Sequence, residues 1–278
     1  MTVRLPTTPW PWTISTLGCP DLDLPAAVAL ARAHGLSRLE LRLLEGRSDL
    51  PQLLAQRFGS PAGLAAWCRQ QGMRICALDA SANLAGLDAV GREELVALVP
   101  WAQALEVPYL RIFDGGRYTS EPERAELAPI AAAWTWWCEQ RAAAGWTVDL
   151  MLETHDACRS ARHVQALQEL VQRPIPILWD AHHPWFASHE DPLHTWDAIR
   201  QQVVHIHIKD SLRQANAQFP YTYVLPGAGD FPLASLLQRL RADGYRGPVS
   251  LEWELAWHRY LPPVGAALDA LARLAARG

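Results

Sequence analysis

The feature that most constrains this chain is a repeated unit: a short β-branched or leucine-rich run, a polar loop, then an alanine- and leucine-rich helical stretch. The strand runs are WTISTL (12–17), RLELRL (38–43), RICALD (74–79), YLRIF (109–113), VDLMLE (148–153), IPILWD (175–180), VVHIHIK (203–209) and VSLEWE (249–254). Helical patterns lie near 24–34, 61–71, 92–105, 122–144, 160–171, 191–201, 233–243 and 264–276. Eight strands alternating with eight helices predict an α/β fold, a closed parallel (β/α)8 barrel, with an open doubly wound sheet as the competing arrangement. At 278 residues, half of them hydrophobic, the chain can bury such a core. No Ser/Gly-rich linker or charge block interrupts the series, so the expectation is one domain over 1–278, with residues 1–11 as an extension across the barrel bottom. Glycine stands between helix and strand in HGLSRLELR, QGMRICALD, AGWTVDLML and DGYRGPVSLEWE, where a left-handed residue ends a helix.

Charge and cysteine content exclude several classes. With 25 basic and 29 acidic residues, the net charge of -4 offers no general attraction to nucleic acid or an anionic membrane. The five cysteines are odd in number and lack the spacing of a zinc knuckle or redox pair, so reduced thiols are expected. No apolar run approaches the roughly 18 residues needed to span a bilayer, and MTVRLPTTPWPW lacks the apolar core of a signal peptide. The expectation is a soluble, cytoplasmic protein. Trp134 and Trp137 share a helix face that is either core or a subunit contact, which leaves a homo-oligomer open.

Chemistry enters through strand parity. In VVHIHIKD, Val204, Ile206 and Ile208 fall on one face and His205, His207 and the chain's single lysine, Lys209, on the other. Strand five puts Glu153 and then His155 on its inner face, strand six ends at Asp180, and strand eight places Ser250 and Glu252 opposite Val249, Leu251 and Trp253. Two Glu, one Asp and a His therefore converge at the carboxyl ends of successive strands, where a barrel keeps its site. Carboxylates with an imidazole suit Mn²⁺, Mg²⁺ or Co²⁺, with Zn²⁺ as a further option, since no thiolate joins the set. His182 reads as a loop hydrogen bonder. Glu40, Arg42, Arg111 and Asp114 also lie at strand ends and are expected to neutralise one another. PGAGD (226–230) looks like a phosphate loop, yet Asp230 would repel an anion; it reads as a turn into an Asp-capped helix and an unphosphorylated substrate.

These residues carry a resemblance. STLGCPDLDLPAAVALARAHGLSRLELR, LMLETHD, ILWDAHH and HIHIKD followed by PGAGDFPLASLLQRLRADGYRGPVSLEWE resemble the xylose isomerase-like superfamily of TIM barrels, the sugar isomerases and epimerases related to ketose 3-epimerases and hydroxypyruvate isomerase. The resemblance implies that Glu153, Asp180, His207 and Glu252 hold one divalent metal, the second histidine of HIHIKD being the ligand. It implies that His183 and Arg213 hold substrate hydroxyls, with Lys209 and His155 facing the same cavity. The implied activity is isomerisation or epimerisation of a small sugar or polyol through an enediolate, Glu153 and Glu252 being the acid and base.

Three other readings share the scaffold. Dehydratases of the inosose or dehydroshikimate type eliminate water after the same enolising step. The superfamily's DNA-repair endonucleases need histidine ligands after strands two to four, where Leu43 to Glu45, Ala80 to Asn83 and Asp114 to Gly116 contain none. A non-catalytic sugar-binding barrel would be indicated by a missing ligand, and none is missing.

Overall fold

The structure is a computed structural model that describes residues 3–277. Its strands are β1 (Trp12–Ile14), β2 (Arg38–Leu41), β3 (Arg74–Asn83), β4 (Tyr109–Phe113), β5 (Asp149–Glu153), β6 (Ile177–Asp180), β7 (Val203–Ile208), β8 (Asp210–Leu212), β9 (Thr222–Val224) and β10 (Val249–Leu251). The helices are α1 (Leu24–Ala33), α2 (Leu50–Phe58), α3 (Pro61–Gln71), α4 (Ala89–Ala104), α5 (Arg124–Ala144), α6 (Ala161–Val171), α7 (His182–Ala187), α8 (Pro192–Ile199), α9 (Leu233–Ala242) and α10 (Val264–Ala275). Eight strands form one parallel sheet in the order β1-β10-β7-β6-β5-β4-β3-β2. A parallel bridge between Ser15 and Glu40 brings the two edge strands together, so the sheet is a nearly closed α/β barrel.

All eight expected strands and eight expected helices are present. Three elements were not anticipated: α2, α7 and the antiparallel hairpin of β8 and β9. Several helix starts follow from local chemistry. Asp23, Ser60, Asp88, Ser160 and Asp191 each accept a backbone N–H from the first turn, satisfying donors that a helix leaves orphaned. Gly72 and Gly145 close α3 and α5 at φ 61° and 67°, the left-handed conformation that favours glycine.

The period of two along each strand divides apolar from polar. Leu150 and Leu152 of β5 are fully buried against the helices, while Met151 packs with Ala77 and Leu178 inside the barrel, below Glu153. Parity in β7 needs one correction. The register slips at its start, so that Ile177 pairs with Val203 and Leu178 with His205. Val204, expected on the helix face with Ile206 and Ile208, instead packs on the inner Ala77, Met151 and Leu178 cluster, and Val203 joins the outer core. The bulge leaves His205 and His207 both facing inward.

Trp134 and Trp137 are both buried within the chain, which decides for core over a subunit contact. The Trp137 indole donates to Asp149 Oδ1 at 3.1 Å. The described part of the N-terminal extension ties down through Leu5 N to His34 O and Val3 N to Asp269 Oδ1, with Trp10 buried and stacked edge-on against Trp12. No helix among the described residues is long and apolar enough to cross a membrane.

Candidate metal centre at the strand ends

Glu153 ends β5, Asp180 ends β6, His207 lies near the end of β7, and Glu252 directly follows β10. One ligand atom from each lies within 4.8 Å of the others, and all four residues are buried. The sheet order accounts for the meeting: β5, β6, β7 and β10 are consecutive neighbours, with Asp180 paired to His207 and His207 to Ser250.

Two of the ligands, Asp180 and His207, are held by atoms that do not face the cluster. Asp180 Oδ1 accepts the backbone N–H groups of His182 and His183 at 2.9 and 3.0 Å, an anchorage supplied by α7, and leaves Oδ2 free to turn inward. Burial pushes the Asp180 carboxyl up to about 7 despite the Lys209 charge. His207 Nε2 meets Glu40 Oε1 at 2.8 Å, so Nδ1 faces Glu252 Oε1 at 3.3 Å and Glu153 Oε1 at 3.8 Å. Burial favours a neutral ring, but the charges of Glu40 and Glu252 prevail and hold its pKa well above the ordinary histidine value. His205 Nε2 lies 2.8 Å from Glu40 Oε2; there burial prevails and the pKa falls.

The donor set fits a divalent cation. Both Glu153 oxygens and His207 Nδ1 are buried without a hydrogen-bond partner, and Asp180 Oδ2, though 2.7 Å from Lys209 Nζ, lies out of line for a hydrogen bond. Unsatisfied buried carboxylate oxygens are costly, and a hard cation beside them removes that cost. Oxygen donors with one imidazole suit Mn²⁺, Mg²⁺ or Co²⁺ and admit Zn²⁺.

Lys209 belongs to the same cluster. Its buried ammonium contacts Asp180, Glu252 and Glu254, the last at 2.7 Å. Burial alone would lower its pKa; the three carboxylates raise it well above the usual lysine value. Glu254 was not singled out from the sequence, although parity in Ser250, Glu252, Glu254 continues inward and was the available signal. Tyr223 of the unanticipated hairpin lies beside Glu254, its hydroxyl 3.5 Å from Oε1.

A cavity of about 350 Å³ opens beside the cluster, lined by His155, Arg159, His183, Phe186, Phe219 and Tyr221, among others. His183 Nδ1 donates to Thr154 O at 3.0 Å, which leaves Nε2 as the free nitrogen. His155 and His183 stack edge to face at 4.8 Å, and Phe113 packs on His155. A larger cleft of about 920 Å³, between α1 and α2, contains none of these groups. Of the eight residues expected at the site, seven come together. Arg213 stands apart: it is exposed, stacks on Trp185 at 4.1 Å and donates to Trp185 O.

The other strand-end charges pair differently from expectation. Glu40 serves the two histidines, Arg111 lies near Asp79 and Glu153, and Asp114 accepts the backbone N–H groups of Gly115, Asp156 and Cys158. Mutual neutralisation of Glu40, Arg42, Arg111 and Asp114 therefore does not occur. Nor does Asp230 cap α9, whose cap position is Pro232; it accepts Arg213 N instead. The glycine-rich turn is already filled by a carboxylate, since Gly227 N, Gly229 N and Phe231 N all donate to Asp210.

The chain matches the model of the family described as xylose isomerase-like TIM barrel over residues 28–277. It belongs to that family. No curated protein matches it by sequence. Among solved structures, the probable 3-DHS dehydratase AsbF involved in petrobactin synthesis from Bacillus anthracis superposes with a TM-score of 0.76 at 18% identity, covering 95% of this chain and 98% of that one. The IOLI protein with a binding zinc atom gives 0.69 at 16% identity, covering 96% and 97%. The apo form of 3-keto-D-glucoside 4-epimerase, YcjR, from E. coli gives 0.68 at 14% identity, covering 95% and 98%. At such identities the likeness is one of fold. Structures whose names include a dehydratase, an epimerase and a zinc-binding protein thus share this fold.

Proposed function

We propose that this barrel is a divalent-metal-dependent isomerase or epimerase of a small sugar or polyol, working by removal of a proton beside a carbonyl. The observation that carries the reading is the meeting of Glu153, Asp180, His207 and Glu252, buried and with ligand atoms within 4.8 Å of one another.

A bound divalent ion would act as a Lewis acid on the substrate oxygens, offsetting the charge that builds up when the adjacent C–H is broken. The chain supplies the rest. Glu153, whose oxygens have no hydrogen-bond partner, takes the proton; Glu252, arriving from the far side of β7, returns one to the opposite face. His183 Nε2 and His155 are placed to orient substrate hydroxyls along the cavity wall, and Phe186, Phe219 and Tyr221 limit water there. Lys209 holds Glu252 by an ion pair.

A second reading is favoured by the Lys209–Glu254 pair at 2.7 Å. Burial raises the Glu254 carboxyl above its usual range, so Glu254, held in place by Lys209, is a proton source for a departing hydroxyl, which would make the enzyme a dehydratase. Structures named as a 3-DHS dehydratase and as a 3-keto-D-glucoside 4-epimerase share the fold, in keeping with one enolising step and two fates.

The test is incubation of the Mn²⁺-loaded protein with a panel of ketoses and inososes in D2O. Deuterium at one carbon with no other change in mass supports the isomerase or epimerase. Loss of water supports the dehydratase. Metal content and turnover that survive both Glu153→Gln and His207→Ala would overturn the assignment.

A further inference from the structure

The four candidate ligands are sealed from solvent. Glu153, Asp180, His207 and Glu252 are each 5% exposed or less, and both Glu153 oxygens, Asp180 Oδ2 and His207 Nδ1 are buried. An ion, or a substrate oxygen that must reach it, cannot arrive unless something moves. Glu153, Asp180 and His207 stand on the barrel sheet and Glu252 directly follows it, so none of them swings aside without opening the barrel.

The cover is segment 213–221, between β8 and β9. Phe219, Pro220 and Tyr221 form one wall of the cavity beside the cluster. On one flank Tyr221 packs edge-on against Phe186 of α7, with ring centres 4.6 Å apart. On the other, Phe219 packs against His258 at 4.7 Å. α7 follows β6 and His258 lies beyond β10, with β7 between those two strands in the sheet. The segment therefore bridges the strand ends that bring in Asp180, His207 and Glu252.

It is built to move as one piece. Asn216 Oδ1 accepts Gln218 N and Phe219 N, both at 2.8 Å, while its Nδ2 donates to Tyr221 O at 2.8 Å, and Thr222 Oγ1 donates to Gln214 O at 2.9 Å. Its polar ties to the flanking elements are fewer. Tyr223 N donates to the Tyr260 hydroxyl at 2.9 Å on the β10 side. On the α7 side Arg213 donates from one terminal nitrogen to His189 Nδ1 and from the other to Trp185 O, each at 3.1 Å, and its guanidinium stacks 4.1 Å over Trp185. Arg213 and His189 are both exposed, where contacts of this kind are weak enough to break and re-form.

We propose that segment 213–221 is a lid and that Arg213 is its latch. The lid lifts to admit the metal and the substrate, and docking of Arg213 on Trp185 and His189 holds it shut. The inference rests on the proposed function only in naming what passes beneath the lid. Arg213, outside the cavity wall, then acts through the position of Phe219 and Tyr221 rather than by touching substrate.

Two readouts test it. Uptake of Mn²⁺ by the metal-free protein, and its release into an excess of a chelating dye, are followed by stopped flow. Arg213→Ala should speed both about tenfold and leave the Mn²⁺ affinity unchanged, because all four ligands lie outside the lid. His189→Ala, which keeps the stack on Trp185, should give a smaller rise. The second readout needs no metal: the chain has five phenylalanines, so 4-fluorophenylalanine gives five fluorine resonances, assigned by substitution. In the metal-free protein Arg213→Ala should shift or broaden the Phe186 and Phe219 lines, which report the lid from its two flanks, and leave Phe58 unmoved. Exchange rates equal to those of the wild type, unchanged Phe186 and Phe219 lines, or a loss of Mn²⁺ affinity that tracks a fall in melting temperature would each overturn the latch. A wild type that binds no Mn²⁺ would sink the metal-dependent function, and the fluorine lines would then decide the latch by themselves.

Discussion

Glu40 Oε1 meets His207 Nε2 at 2.8 Å across the barrel and thereby decides which ring nitrogen faces Glu153 and Glu252. A carboxylate on the far nitrogen of a ligating histidine fixes its tautomer and raises its basicity. Glu40→Gln keeps the shape and removes the charge. It should weaken Mn²⁺ binding about ten- to a hundredfold with the fold retained, as read by titration calorimetry. Unchanged affinity would mean that Glu40 merely fills the space between two histidines.

Among the described residues, Lys209 is the one side chain whose ammonium contacts Asp180, Glu252 and Glu254 together, and it is fully buried. Lys209→Met leaves three carboxylates facing one another, and breaking a buried ion pair from one side costs about 3–5 kcal/mol. Urea unfolding of the metal-free variant should show a loss of that order, and adding Glu254→Gln should recover part of it. Divalent ions should stabilise the variant by mass action, seen as a rise in melting temperature with metal concentration. A variant as stable as the wild type would show that the ammonium does not hold these groups.

The barrel was legible in the sequence because its signal is periodic and repeated: each strand keeps two faces apart and each helix keeps a buried stripe. The convergence of Glu153, Asp180, His207 and Glu252 was legible for the same reason, since parity and strand order together fix which side chains meet. What escaped depends on contacts that leave no period. The hairpin around Tyr223 is short and crosses over the site, α7 begins directly on Asp180 with no intervening loop, and the slip at Val203 depends on how β6 and β7 pair. Charge pairing was the least legible of all. Glu40 and Arg42 are neighbours on one strand face, yet one is claimed by histidines from β7 and the other bonds the Ser81 hydroxyl.

Asp114 gives a pH dependence away from the ligands. Its buried carboxyl is pushed up to about 7, burial outweighing the N–H groups of Cys158 and Asp156 and the charge of His155, while Asp156 opposes ionisation further. The native state therefore holds a proton that the unfolded chain has already released. This contribution makes stability fall as pH rises from about 4 to about 7, at no more than about 1.4 kcal/mol per pH unit, with no further loss above that window. In Asp114→Asn this component should vanish, flattening the curve of unfolding free energy against pH. Parallel curves for the two proteins would show that Asp114 ionises normally.

Gly229 tests the filled turn. A Cβ there would lie 2.1 Å from Asp210 Oδ1 and 2.6 Å from Ser211 O, and the second contact is with backbone that cannot swing aside. Gly229→Ala must displace either the turn or the Asp210 carboxylate, which otherwise accepts from Gly227 N, Gly229 N and Phe231 N. Losing buried hydrogen bonds to a charged group costs about 1.5–3 kcal/mol each, so a destabilisation of at least about 2 kcal/mol is expected in urea unfolding. Asp210→Asn keeps one acceptor oxygen and should cost less than Gly229→Ala, because it leaves the turn in place. It should also leave the N–H groups of the turn engaged, so inorganic phosphate should bind neither the wild type nor this variant at millimolar concentration. Phosphate binding that appears only in Asp210→Ala, where the turn's donors are released, would show directly that this carboxylate stands where a phosphate would otherwise go.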